Sequence, residues 1–151
     1  CLKNIKKIDF FKILSKDFKN TKLIKKLLNI SKQKIYVAIG FSSEEDINIF
    51  LKQYKYFKKR FIFIYTSFDD KMNFNRLINI ELLKKKFNVD IAYGNHSPNK
   101  KMIFFSSLFK PESIFFYVKY DNGNKYPDNF HALKINEIND YINKINKIIK
   151  I

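Results

Sequence analysis

One stretch of this chain combines a buried strand with a polar tip, the pairing from which most α/β sites are made. Asp90-Ile91-Ala92-Tyr93-Gly94-Asn95-His96-Ser97-Pro98 follows the apolar Val89 and ends in polar residues around His96. The run reads as a strand, and Ser97-Pro98 supplies a helix start. Where strands run parallel, such a junction is the carboxyl end of a strand, the place where barrels and open sheets bind ligands. An imidazole there serves a ligand site or merely bonds a loop carbonyl, and spacing alone leaves both open.

The elements that must position this tip alternate along the chain. Residues 2–7 read as the tail of a helix, and residues 8–14 as a first strand closed by Ser15-Lys16-Asp17. From Asn20, Leu23, Ile24, Leu27 and Leu28 recur at helical spacing with lysines between them. A second strand is predicted over 35–39, ending at Gly40. Ser42 and Glu45 then give a capping-box pattern for a helix through about residue 57. The third strand covers 61–65, ends at Thr66-Ser67, and is followed by a polar loop over 68–73 and a helix over 75–87. After the His96 strand a helix is predicted from Pro98 to Phe109, where Pro111 forbids continuation. The fifth strand, 114–120, is the most β-prone segment. A polar loop follows, then a terminal helix over 135–149 with Ile138, Ile142, Ile145 and Ile149 on one stripe.

Strands alternating with helices argue for parallel strands joined by right-handed crossovers. Strands that are apolar throughout, instead of alternating, argue that both sheet faces are covered. The expectation is one α/β domain over 1–151, built from five parallel β/α units as part of a (β/α)8 TIM-type barrel. At 151 residues the chain is too short for a complete eight-unit barrel, which needs about 200–250. Its opening on Cys1 in place of Met agrees with a fragment.

No apolar run approaches a membrane span, and no signal-type segment opens the sequence. A single cysteine excludes a disulfide framework and any multi-cysteine zinc site, which makes the cytoplasm the default location. The net charge of +16 invites a nucleic-acid reading. The lysines, however, are spread through nearly every segment beside abundant Asn, Ile and Phe, the joint bias of an AT-rich coding sequence. The runs Lys84-Lys85-Lys86 and Lys58-Lys59-Arg60 fall where helices end and favour the helix dipole. A specific nucleic-acid partner is not expected; salt-sensitive, non-specific binding is.

The order and spacing of the strand-end motifs resemble those of the sialic acid synthase (N-acetylneuraminate synthase) family. Lys12-Ile13-Leu14-Ser15-Lys16-Asp17 is similar to that family's K-I-A-S-G followed by an acid, and Ala38-Ile39-Gly40-Phe41 to its S-T-G-M. Phe63-Ile64-Tyr65-Thr66-Ser67 is similar to its strand ending H-C-T-S. Phe87 through Ser97 matches F-G-V-P-V-G-Y-S-D-H-T without a gap, and Asp121 and Pro127-Asp128 recur after the last strand. Nearly the whole chain is covered, as the last five of eight units.

The resemblance implies a barrel enzyme that condenses phosphoenolpyruvate with an N-acyl mannosamine-type sugar, using a divalent metal such as manganese or magnesium. It casts Lys12, Ser15, Asp17, Thr66, Ser67, Asp121 and Asp128 as substrate or phosphate binders and His96 as a metal ligand. The departures matter as much. Of the family's two metal-binding histidines, the first is Ile64 here, which has no lone pair to donate. The family's phosphate-binding serine is Ala38, and its E-K-H-F-T strand has become Phe115-Phe116-Tyr117-Val118-Lys119. Impaired activity in this chain alone is therefore expected, with self-association or a separate amino-terminal half to complete it. A non-catalytic module holding an anionic sugar or phosphate is the alternative, ahead of a basic nucleic-acid binder. Tyr93 is read as packing and His131 as a loop or surface histidine without a role.

Overall fold

In the computed structural model, which describes residues 7–67, 74–121 and 127–150, five strands form one wholly parallel sheet in sequence order. They are β1 (Phe10–Ile13), β2 (Lys34–Ala38), β3 (Phe61–Ser67), β4 (Asp90–Asn95) and β5 (Ile114–Phe115). The crossovers between them carry α1 (Thr21–Ile30), α2 (Glu44–Gln53), α3 (Ile78–Phe87) and the short α4 (Lys101–Phe105). The sheet curls into a half-barrel, as expected of part of a TIM-type fold. All but Lys7 of the predicted helix over 2–7, the loop over 68–73 and residues 122–126 of the loop after Asp121 lie outside the described residues.

Strand alternation sorts the side chains onto two faces. Ile13, Ile35, Val37, Phe61, Phe63, Ile91 and Tyr93 face the helices and join Ile24, Ile47, Phe50, Leu77 and Ile80 in the main core. The intervening residues, Tyr36, Ile62, Ile64 and Ala92, form a smaller cluster on the concave face, with Ala38 and Phe115 against it. Phe10, Tyr36 and Phe115 meet edge to face across that concavity, with centroids 5.0 to 6.2 Å apart. Hydrophobic side chains thus cover both faces of the central strands, which is why these strands read as unbroken apolar runs.

Local chemistry sets the element ends. Asn20 caps α1 by accepting from the Leu23 amide. The capping box of α2 is shifted by one residue from the predicted pair. Ser43 accepts from the Asp46 amide, and the Asp46 carboxylate accepts from the Ser43 amide. Asn88 closes α3 and Lys110 ends the segment after α4, both in the left-handed region. The helix expected from Pro98 to Phe109 starts later and ends in a 3-10 turn over Ser106–Phe109. Ser97 and Asn99 side chains hold the intervening turn instead.

The largest departure concerns the fifth strand. Only Ile114 and Phe115 pair with β4, opposite Tyr93 and Gly94. β4 ends at Asn95, one residue past Gly94, so the β-prone residues beyond Phe116 have no strand neighbour to pair with there. Val118–Lys119 (β6) pairs instead with Leu133–Lys134 (β7) in a separate two-stranded ladder. The terminal helix α5 (Ile138–Ile149) follows a 3-10 turn. It leaves Ile142 and Ile149 exposed and turns Ile138, Tyr141, Ile145 and Ile148 inward, with Tyr141 against Phe104 of α4.

Candidate functional site at the strand tips

The carboxyl ends of β1 to β5 surround a pocket of about 380 Å³. Lys12, Leu14, Ser15 and Lys16 line it from β1 and the turn after it, Ile64 and Thr66 from β3, and Gly94, Asn95 and His96 from β4 and its tip. Ala38, Phe41 and the segment 115–117 complete the wall. Of the residues predicted from sequence, the fold brings Lys12, Ser15, Thr66 and His96 together here. The Lys12 ammonium stands over the Phe115 ring, 5.2 Å from its centre.

Gly94 keeps this pocket open. A Cβ at that position would come within 2.9 Å of Thr66 Oγ1 and 3.0 Å of Ile64 Cγ2. The loop that carries His96 is anchored from below. Asn95, which is 1% exposed, accepts from the Tyr93 hydroxyl at 3.1 Å and donates to the Ser97 carbonyl at 3.1 Å. Tyr93 is fully buried, in keeping with a packing role. Burial, then the neighbouring Tyr65, pushes its hydroxyl pKa well up, so it stays protonated and able to donate.

The other predicted residues are placed differently. Asp17 ends the turn after β1 but does not line the pocket. Ser67 closes β3 with its backbone opposite Asn95. Asp121 is exposed and paired with Lys134 at 2.8 Å, which lowers the carboxyl pKa. Asp128 lies outside the pocket wall and beside His131, with 3.2 Å between its Oδ1 and the imidazole Nε2.

His131 corrects the sequence reading. It is neither loose nor superficial but 2% exposed, on the turn leading into β7. Its ring centre is 5.1 Å from that of His96 and 4.8 Å from that of Tyr117, and Tyr117 lies 5.2 Å from His96. The signal that could have found it is the Asp128/His131 spacing, three residues apart after a proline, which puts a carboxylate within reach of an imidazole in one turn.

Burial, the adjacent His131 and Lys12 lower the His96 pKa, while Asp128 opposes them. Protonation therefore favours the unfolded chain, in which the imidazole regains its ordinary affinity for protons. The His96 contribution to stability is complete above the ordinary value of 6.5 and is lost as pH falls from there through the lowered folded-state value. Urea midpoints should accordingly drop across that window, and His96→Gln should flatten the drop.

At the two positions that the family resemblance marks for a metal, the donor set does not suit a divalent ion. His96 is present, but Ile64 lines the wall where a second imidazole would be required. Among the described residues no group of three or more His, Cys, Asp and Glu side chains is arranged to hold a metal ion. Nor is any described helix long and apolar enough to cross a membrane.

Comparison with known proteins agrees with the fold. The N-acetylneuraminic acid (sialic acid) synthetase of Leptospira borgpetersenii serovar Hardjo-bovis, solved with citrate, superposes with a TM-score of 0.81 at 21% identity. The match covers 95% of this chain and 50% of that one. Spore coat polysaccharide biosynthesis protein SpsE of Bacillus subtilis superposes with a TM-score of 0.79 at 15% identity, over 92% of this chain and 40% of the other. The chain thus spans half or less of the length of these structures. No curated protein sequence matches it. The model of the NeuB family matches residues 2–151, and the chain belongs to that family.

Proposed function

We propose that this chain supplies five β/α units, as one domain over 1–151, to a cytoplasmic barrel of the sialic acid synthase type. In this reading the strand-tip pocket binds the anionic end of a small substrate of the phosphoenolpyruvate class, and an N-acyl mannosamine-type sugar is the second reactant. The observation that carries it is the convergence of the Lys12 ammonium with the Ser15 and Thr66 side chains in one pocket at the carboxyl ends of parallel strands. Family membership and the superposition with a sialic acid synthetase support the same reaction class.

The reaction asks more than this chain offers. Attack of an alkene on an aldehyde requires the carbonyl to be polarised. A trianionic substrate requires several converging donors. Ala38 and Ile64 take two of the positions that would serve these needs. Condensation is therefore impaired in the 151-residue chain alone, and the remaining three units of the barrel come from further polypeptide or a second chain. The same losses favour a second reading, a non-catalytic module that holds an anionic sugar or phosphate through Lys12, Ser15 and His96.

Calorimetric titration with phosphoenolpyruvate tests the shared premise. Saturable binding is expected, weakened at least tenfold by Lys12→Ala, since a hydrogen bond to a charged group contributes about 1.5–3 kcal/mol. Absence of heat, or a Lys12→Ala chain that binds equally well, overturns both readings. Product formation from an N-acyl mannosamine, assayed with manganese present, separates them from a competent enzyme. Robust turnover by this chain would contradict the impairment inferred from Ile64.

A further inference from the structure

At the amino ends of the central strands, opposite the strand-tip pocket, lies a second hollow of about 430 Å³. Lys34 at the start of β2, Lys58 and Lys59 just before β3, and Lys84 of α3 line it. Phe61 and Val89, both buried, back it, and Asp90 brings a carboxylate to its wall.

Lysines near helix ends commonly serve the terminal carbonyls and the helix dipole. Here other groups already close those ends. Arg60 donates to the Leu28 carbonyl at 3.2 Å and to the Gln33 carbonyl at 2.9 Å, which ties off α1. The Lys34 ammonium donates to the Lys59 carbonyl at 3.0 Å, and Asn88 in the left-handed region ends α3. Among the described residues, the ammonium groups of Lys58, Lys59 and Lys84 have no ion-pair, hydrogen-bond or aromatic partner. The described carboxylates that pair with lysine engage Lys19, Lys85, Lys86, Lys100, Lys134 and Lys144 instead. Like charges gathered round one hollow repel one another, and a bound anion relieves that repulsion.

We propose that this amino-end hollow binds a compact oligophosphate, a di- or triphosphate group either free or carried by a small molecule. Its volume falls within the range of small-ligand pockets, about 300–1,000 Å³. Each ammonium is a point charge with three donors, suited to phosphate oxygens. The arrangement also favours closely spaced phosphates over an extended nucleic-acid backbone. An adjoining hollow shares Lys84 but brings Glu81 to its wall, with Lys85 paired to it at 2.7 Å, so the free cations do not continue as a track. The site lies at the other end of the sheet from Lys12 and Ser15 and does not rest on the reading of that pocket.

Inorganic tripolyphosphate is the probe, titrated into the nitrogen-15-labelled chain. The amide signals of Lys58, Lys59, Lys84 and Asn88 should shift together and saturate at one equivalent. Signals at Gly94 and His96 report the strand tips separately, so failure here and failure of phosphoenolpyruvate binding there are distinguishable. Lys58→Gln combined with Lys84→Gln should weaken binding by about tenfold or more. Lys22→Gln combined with Lys26→Gln removes the same charge from exposed positions on α1 and should change it by less than about twofold. Equal weakening by both pairs, or shifts that never saturate, would reduce the effect to net charge and overturn the proposal. So would a DNA duplex that displaces tripolyphosphate from these residues at equal phosphate concentration.

Discussion

Replacing Phe63 by alanine should destabilise the chain by about 3–5 kcal/mol, enough to remove much of the stability of a typical domain. Phe63 is fully buried in the middle of β3, between Val37 and Ile91 of the flanking strands. Its ring meets Phe50 of α2 at 5.6 Å and so joins the sheet to its helical layer. Truncation loses the transfer free energy of a phenyl ring and leaves a cavity that a parallel sheet, hydrogen-bonded on both sides, is poorly able to close. Tyr56→Ala makes the control: that ring is 86% exposed, and its loss should change stability by no more than about 0.5 kcal/mol. Urea unfolding followed by circular dichroism checks both, with the midpoint shifting at unchanged slope.

The second large effect is expected at Asn95. Substitution by leucine keeps the volume but strands the Tyr93 hydroxyl and the Ser97 carbonyl, both now served by the Asn95 amide. Each buried group left without its partner costs about 1–3 kcal/mol, so the pair should cost several. The loss also frees the backbone that presents His96, and the pocket should weaken along with the fold. Adding Tyr93→Phe to Asn95→Leu removes one of the stranded groups. The double variant should therefore be more stable than Asn95→Leu alone, a reversal that simple loss of packing would not produce. Denaturant titrations of the four chains in this cycle give the answer.

The parts of the fold that depend on local pattern were legible in the sequence. The apolar runs at β2, β3 and β4 announced strands covered on both faces, and the lysine-interrupted Leu23, Ile24, Leu27 and Leu28 announced α1. Where tertiary pairing overrules propensity, sequence reading failed. Residues 114–120 have the composition of one strand, yet only Ile114 and Phe115 pair with β4, and Val118 and Lys119 turn away to pair with β7. The inward face of α5 was misjudged for a related reason. Its isoleucines permit more than one stripe, and contact with α4 selects the one containing Tyr141.

The site was legible to the same degree. Lys12, Ser15, Thr66 and His96 lie at strand tips, whose location follows from the strands themselves. Asp121 and Asp128 follow β6 and stand beyond the pocket wall, where spacing along the chain does not determine position in space. The burial of His131 was not legible, because it depends on packing against Tyr117, a contact between residues with no periodic signature; only the Asp128/His131 spacing hinted at its partner.

Behind all of this stands one structural claim: the concave face of the sheet is the interior of a barrel that five strands cannot close. Phe10 on β1 and Leu14 just after it remain 46% and 48% exposed, and among the described residues β1 and β5 each have a strand partner on one side only. Unpaired edges beside an apolar face promote association. Light scattering on the isolated 151-residue chain at micromolar concentration tests this most directly. Dimers or larger assemblies that dissociate when Phe10 and Leu14 are both changed to lysine are the predicted result. A monodisperse monomer across that concentration range would contradict it.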